Sequence, residues 1–177
     1  MKDSFGRIID YLRISLTDRC NFHCLYCMPP EGIKLIPHKE ILTFEEVYIL
    51  AKIFSQKGIK YIKLTGGEPL LRKEICSLIR MLNSIPEIKE VTLTTNGFFL
   101  EKMADKLKKA GIHRINISLD TLNPVKFKKI TKSGDIKPVL KGIDRAIEVG
   151  FSPVKLNCVI MRGINAVSYT HLTLPTN

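Results

Sequence analysis

The chain has 177 residues, 45% of them hydrophobic and 25% charged, and 28 basic against 17 acidic residues give a net charge of +11. That length suits one domain, and that balance supports a packed core rather than a disordered chain. No apolar run approaches the ~20 residues needed to cross a bilayer, and Met1 to Asp10 is mixed and charged with no apolar signal segment. A cytoplasmic protein without membrane attachment is expected.

Residues Tyr11 to Leu16 alternate and are rich in strand formers, and a cysteine-rich loop follows at once. Thr43 and Glu46 form a capping box, with Leu42 and Val47 placed for a hydrophobic staple. The helix they open carries Val47, Leu50, Ile53 and Phe54 on one face and stops near Gly58. A second strand, Tyr61 to Thr65, ends in Gly66-Gly67-Glu68-Pro69. A helix over Arg72 to Asn83 leads to strand Val91 to Thr95, which ends in Asn96-Gly97. A third helix, Glu101 to Ala110, leads to strand Arg114 to Leu119, which ends in Asp120-Thr121. A helix over about Lys137 to Val149, with Val139, Leu140, Ile143, Ala146 and Ile147 inward, precedes a fifth strand, Val154 to Met161.

Five strands alternating with helices predict a parallel sheet with right-handed crossovers, an α/β fold. Each of the first four strands ends in polar or glycine-rich residues. Because the C-terminal ends of parallel strands share one side, chemistry is expected at one mouth. A closed eight-stranded barrel needs roughly 250 residues, so the expectation is a partial barrel or an open sheet. The last stretch, Ala166 to Asn177, has no charged residue and reads either as a plain end or as foreign sequence.

Of the basic residues, 20 are Lys and 8 are Arg, and many lysines fall between Lys102 and Lys141 at helical spacing. They read as solvated helix faces. No aromatic-interleaved basic ribbon or RNP-like motif is present, so no nucleic-acid partner is expected.

Five cysteines without a secretion signal point to metal ligands or redox groups rather than disulfides. Cys20, Cys24 and Cys27 stand as Cys-x-x-x-Cys-x-x-Cys directly after the first strand. Three thiolates suit three irons of a [4Fe–4S] cluster, with the fourth iron open to an exogenous ligand. A zinc site needs a fourth ligand, from His23, His38, Cys76 or Cys158, and unliganded thiols are the third reading. Cys76, on an amphipathic helix, and Cys158, in an apolar strand, read as small core residues. The glycine pair at 66–67 admits close backbone approach to a ligand or marks a plain turn, and Glu68 offers a carboxylate beside it.

The cysteine spacing with Tyr26 before its last member, together with GGEP, resembles radical S-adenosylmethionine enzymes. DSFGR at Asp3–Arg7, YLRISLTDRCNFHCLYCMP at Tyr11–Pro29, and the stretches LTGGEPLLR, LTTNG and ISLDTL look like the GTP 3′,8-cyclase family of molybdenum cofactor biosynthesis. The resemblance runs from Asp3 to about Asn165. It implies an incomplete triosephosphate-isomerase-type (TIM-type) barrel, in agreement with the strand count.

By resemblance, Cys20, Cys24 and Cys27 ligate a [4Fe–4S] cluster whose open iron takes the amino and carboxylate groups of S-adenosylmethionine. Tyr26, Gly67 and Ser118 match positions that bind this cofactor, with Glu68 accepting from its amine. From the residues alone, Tyr26 also suits core packing and Ser118 a plain strand end. The GTP positions are Arg13, Lys63, Thr94 and Lys155. A charge within a strand is costly unless it is paired or faces a polar mouth, so Arg13 and Lys155 suit a polyanion or an acidic neighbour. Lys63 stands where the family has Arg and lacks its planar fork. The implied chemistry is one-electron cleavage of S-adenosylmethionine. The resulting 5′-deoxyadenosyl radical takes hydrogen from ribose C3′ of GTP, whose carbon radical attacks guanine C8.

An electron donor, a downstream cyclic pyranopterin monophosphate synthase and a homodimer are further family expectations. The family also continues with a sixth strand, three more cysteines for a second cluster, and a glycine-glycine end. No cysteine follows Cys158 here. The expectation is a core over residues 1–165, a non-native tail over 166–177, and no full cyclase activity from this chain as written. The remaining readings are another radical enzyme, such as a peptide-modifying one, and an inert iron–sulfur-binding fragment.

Overall fold

In a computed structural model of the chain, residues 2–29, 31–132 and 134–166 are described; most of the uncharged tail, 167–177, lies outside them. Strands β1 (Tyr11–Ser15), β2 (Tyr61–Thr65), β3 (Glu90–Thr95), β4 (Arg114–Ser118) and β5 (Val154–Asn157) form one parallel sheet. Their spatial order is β1-β2-β3-β4-β5, identical to their order in the chain. Sequential order with right-handed crossovers puts every crossover on the same face, as in a barrel wall; a doubly wound sheet would reverse direction. The sheet does not close among the described residues, so the partial-barrel expectation stands.

Helices α1 (Phe44–Gln56), α2 (Ile75–Asn83), α3 (Leu100–Ala110), α4 (Pro124–Thr131) and α5 (Ile136–Glu148) complete the crossovers. The outer sheet face supplies Ile62, Leu64, Val91, Leu93, Ile115 and Ile117, all fully buried. Against them lie Leu78, Ile79 and Leu82 of α2, Leu100 and Leu107 of α3, and Val139 of α5. The predicted capping box opens α1, with Glu46 N–H donating to Thr43 Oγ1 at 3.2 Å and Thr43 N–H to Glu46 Oε2 at 2.7 Å. No described helix is long and apolar enough to cross a membrane.

The structure differs from expectation at several places, α2 among them, which begins at Ile75 rather than Arg72. On α1 the buried residues are Val47, Ala51 and Ser55, whereas Leu50 and Ile53 stay partly in solvent, because the stripe is rotated by about one position. On α5 Ile147 is 59% exposed and Gly142 is buried instead. β5 stops at Asn157, since Asp120 binds the Val159 amide and turns the chain away. Helix α4 had no predicted counterpart. Asn123 caps it by accepting from Lys126 N–H at 3.0 Å, and Pro124 sits in its first turn.

Candidate active site at the strand ends

The inner sheet face is polar. Cα register pairs Arg13 of β1 with Lys63 of β2, and Lys63 with Thr92 of β3. Thr94 pairs with Asn116 of β4, and Asn116 with Lys155 of β5. With a side-chain period of two, Arg13, Lys63, Thr94, Ser118 and Lys155 therefore share one face. A cavity of about 120 Å³ takes in Lys63, Lys155, Thr92 and Asn116, but neither Arg13 nor Thr94. In it Arg114 forks onto both oxygens of Glu90 and is neutralised. Arg13, Lys63 and Lys155 have no ion pair among the described residues; Lys63 Nζ lies 5.9 Å from the Tyr11 ring centre.

The cysteine loop lies across the C-terminal strand ends and is tied down at several points. Gly67 N–H donates to Thr17 O at 2.6 Å, and Glu68 N–H to Arg19 O at 2.7 Å. His23 N–H and Leu25 N–H donate to the carbonyls of Thr131 and Ile130 at the end of α4. Phe22 packs edge-on between Phe98 and Phe127, at 5.8 and 5.7 Å. A Cβ on Gly67 would meet Arg19 O at 2.2 Å, and one on Gly66 would meet Thr17 O at 2.7 Å. The close approach these glycines permit is thus to the cysteine loop itself.

Buried polar groups gather here. Glu68 is fully buried, and its oxygens accept from Leu70 N–H at 3.0 Å, Thr95 Oγ1 at 2.8 Å and Asn96 N–H at 2.7 Å. Burial pushes its carboxyl up while those three bonds favour the anion. Through these bonds Glu68 anchors the ends of β2 and β3. Asp120, 5% exposed, accepts from the Tyr26 hydroxyl at 2.7 Å and from Val159 N–H at 2.8 Å. Its carbonyl accepts from Asn165 Nδ2 at 2.9 Å. Tyr26 is 40% exposed with its hydroxyl pinned, so it bridges the loop to β4. Asp120 stood in the sequence only as a polar strand end, and nothing marked Asn165, whose amide is satisfied wholly by backbone and Cys158.

Cys20, Cys24 and Cys27 are free thiols on this loop. Cys20 Sγ accepts from Phe22 N–H at 3.4 Å and faces Asn96 Nδ2 at 3.8 Å. Burial, then the neighbouring Cys27 and Cys20, push the Cys24 thiol up to about 12; burial likewise raises Cys20 and Cys27. Among the described residues no three His, Cys, Asp or Glu side chains gather around a point that would suit one metal ion. Three thiols on a pinned, half-buried loop, one already receiving an N–H, fit a cluster.

Residues 14–171 match the family described as the radical SAM superfamily. The chain belongs to that superfamily. A radical SAM protein carries a [4Fe–4S] cluster and uses S-adenosylmethionine. The chain is 50% identical over 165 residues to a GTP 3′,8-cyclase of Petrotoga mobilis, covering 93% of this chain and 51% of that one. It is 49% identical over 165 residues to molybdenum cofactor biosynthesis protein 1 of Bos taurus, covering 26% of it. Among solved structures, the radical SAM chain resembles the FeFe-hydrogenase maturase HydG, with a TM-score of 0.72 at 20% identity over 92% of this chain and 39% of that one. The chain spans about half the length of the bacterial cyclases it matches.

Proposed function

We propose that this radical SAM chain is the cluster- and cofactor-binding part of a GTP 3′,8-cyclase of molybdenum cofactor biosynthesis. The observation that carries the reading is a pinned three-thiol loop across the C-terminal ends of a sheet whose polar face holds Arg13, Lys63 and Lys155 with no ion pair among the described residues. The 50% identity to a cyclase supports it. Cys20, Cys24 and Cys27 would hold the cluster, with Tyr26, Gly67 and Ser118 around S-adenosylmethionine. When bound, the pair supplies a 5′-deoxyadenosyl radical.

The chain's own share is positioning. The backbone ties from α4 and from Gly67 and Glu68 fix the thiols relative to the strand ends, and rigid placement is a large part of such catalysis. Arg13, Lys63 and Lys155 would take the triphosphate, with Thr94 offering a hydroxyl. The second cluster's cysteines belong to the half of the family that this chain does not match, so complete cyclisation is not assigned to it. An electron donor, a downstream pterin synthase and a homodimer complete the proposal, in a cytoplasmic setting that suits free thiols. A core over residues 1–165 followed by a non-native tail over 166–177 is part of the proposal, and re-reading the source DNA past Asn165 tests it.

Calorimetric GTP binding tests the anion face. Lys63→Ala and Lys155→Ala are each expected to weaken binding roughly fivefold, the loss of one charge-assisted contact. Lys63→Arg is expected to tighten it through bidentate contact. Binding left unchanged by all three removes the triphosphate from this face.

A further inference from the structure

The solvent face of α4 is basic and lacks acidic neighbours along its own segment. From Leu122 to Gly134 the sequence holds Lys126, Lys128, Lys129 and Lys132 and no acidic residue. None of these lysines has an ion pair among the described residues, whereas on α3 and α5 Glu101 pairs with Lys141 and Asp105 and Glu148 with Arg145. Lys128, Lys129 and Lys132 are exposed. With Pro124 and Val125, the latter 78% exposed, they line one open apolar groove.

The opposite face of the same helix touches the cysteine loop. Phe127, 2% exposed, packs on Phe22, and the carbonyls of Ile130 and Thr131 hold the amides on either side of Cys24. A single helix therefore separates this basic patch from the loop that carries the thiols.

We propose that the Lys-rich face of α4 is the docking surface for a small acidic protein that carries one electron, of the reduced flavin or iron–sulfur class. It delivers that electron to the cluster at Cys20, Cys24 and Cys27. The inference rests on reading that loop as a cluster site. The carrier is oxidised by one electron and the cluster site reduced by one, with no bond made or broken on this chain. Encounters of this kind are small, weak and electrostatically steered, which suits lysines along an open apolar groove. Nucleic acid fits less well, because α4 has no Arg and its aromatic residue is buried, leaving no ring for base stacking.

The experiment uses the full chain, a purified acidic flavodoxin as probe, and two double charge reversals. Lys128→Glu/Lys129→Glu lies on the patch, and Lys102→Glu/Lys109→Glu on α3 makes the same change in net charge elsewhere. Affinity is measured with the metal-free chain at low and high salt, and reduction of the reconstituted chain by flavodoxin is followed anaerobically beside reduction by dithionite. The α4 reversal is expected to weaken flavodoxin binding and slow reduction about tenfold at low salt, to flatten the salt dependence, and to leave dithionite reduction unchanged. The α3 reversal is expected to have a far smaller effect. Equal effects of the two reversals, no flavodoxin binding by the wild-type chain, or an α4 reversal that abolishes binding of a single-stranded RNA but not of flavodoxin would each overturn the proposal. Failure to load a cluster at all would refute the functional reading instead, while binding by the metal-free chain still decides the docking surface.

Discussion

Replacing Gly67 with Ala tests how the cysteine loop is held. The added Cβ would lie 2.2 Å from Arg19 O, 2.6 Å from Arg19 C and 2.9 Å from Asp18 O. All three are backbone atoms, so no side-chain rotation relieves the contact, and the loop must move. Moving it strains the bonds from Gly67 N–H to Thr17 O and from Glu68 N–H to Arg19 O, worth about 1 kcal/mol each. Forced shifts in a packed site add about 1–3 kcal/mol. The expected loss is roughly 3–5 kcal/mol, a large share of the ~5–15 kcal/mol that holds a domain together. Urea denaturation of the metal-free chain, followed by circular dichroism, measures it. Gly32→Ala is the control: its φ is +83° but its Cβ would meet nothing within 4 Å, so only backbone strain of about 1–2 kcal/mol is expected. A Gly67→Ala chain within 1 kcal/mol of wild type, or no weaker than Gly32→Ala, refutes the reasoning.

Asp120→Ala leaves the Tyr26 hydroxyl and the Val159 amide without their acceptor and is expected to cost about 2–4 kcal/mol in the same assay. Asp120→Asn keeps a carbonyl acceptor and costs less; equal losses would contradict the bridging role. Burial holds the Cys24 thiol near 12, so at pH 8 its thiolate is roughly a thousandfold scarcer than that of an ordinary thiol. Alkylation of folded metal-free chain, resolved by peptide mass, should therefore be slowest at Cys24 and should speed up in urea. Because the neutral thiol is the form favoured by folding, its stabilisation is complete below about pH 9 and is lost as pH rises towards 12. Labelling of Cys24 at pH 8 as fast as that of exposed Cys27 would show the loop to be open.

Much of the architecture was legible because the periodicities are strong. Apolar alternation in Tyr61–Thr65 and Arg114–Ser118 marked strands, and Thr43 with Glu46 marked a helix start that the structure repeats to the atom. The same alternation placed Arg13, Lys63 and Lys155 within strands, and register then puts them on one face. Helix α4 escaped because its eight residues include three lysines and bury only Phe127, Ile130 and Thr131, too little for an amphipathic signal. Leu50 and Ile53 misled because the stripe that packs on the core contains Ala51 and Ser55, small residues that a search for large apolar ones passes over. Glu68 and Asp120 have roles set by partners 27 to 94 positions away, a relation that no local pattern carries.

Anaerobic reconstitution of the chain with iron and sulfide, followed by electron paramagnetic resonance of the dithionite-reduced protein, reaches the central claim most directly. The expected spectrum is that of one reduced [4Fe–4S] cluster, shifted on adding S-adenosylmethionine and absent after Cys20→Ala, Cys24→Ala or Cys27→Ala. Folded protein that takes up no iron, or a cluster signal that S-adenosylmethionine leaves unmoved, would contradict it.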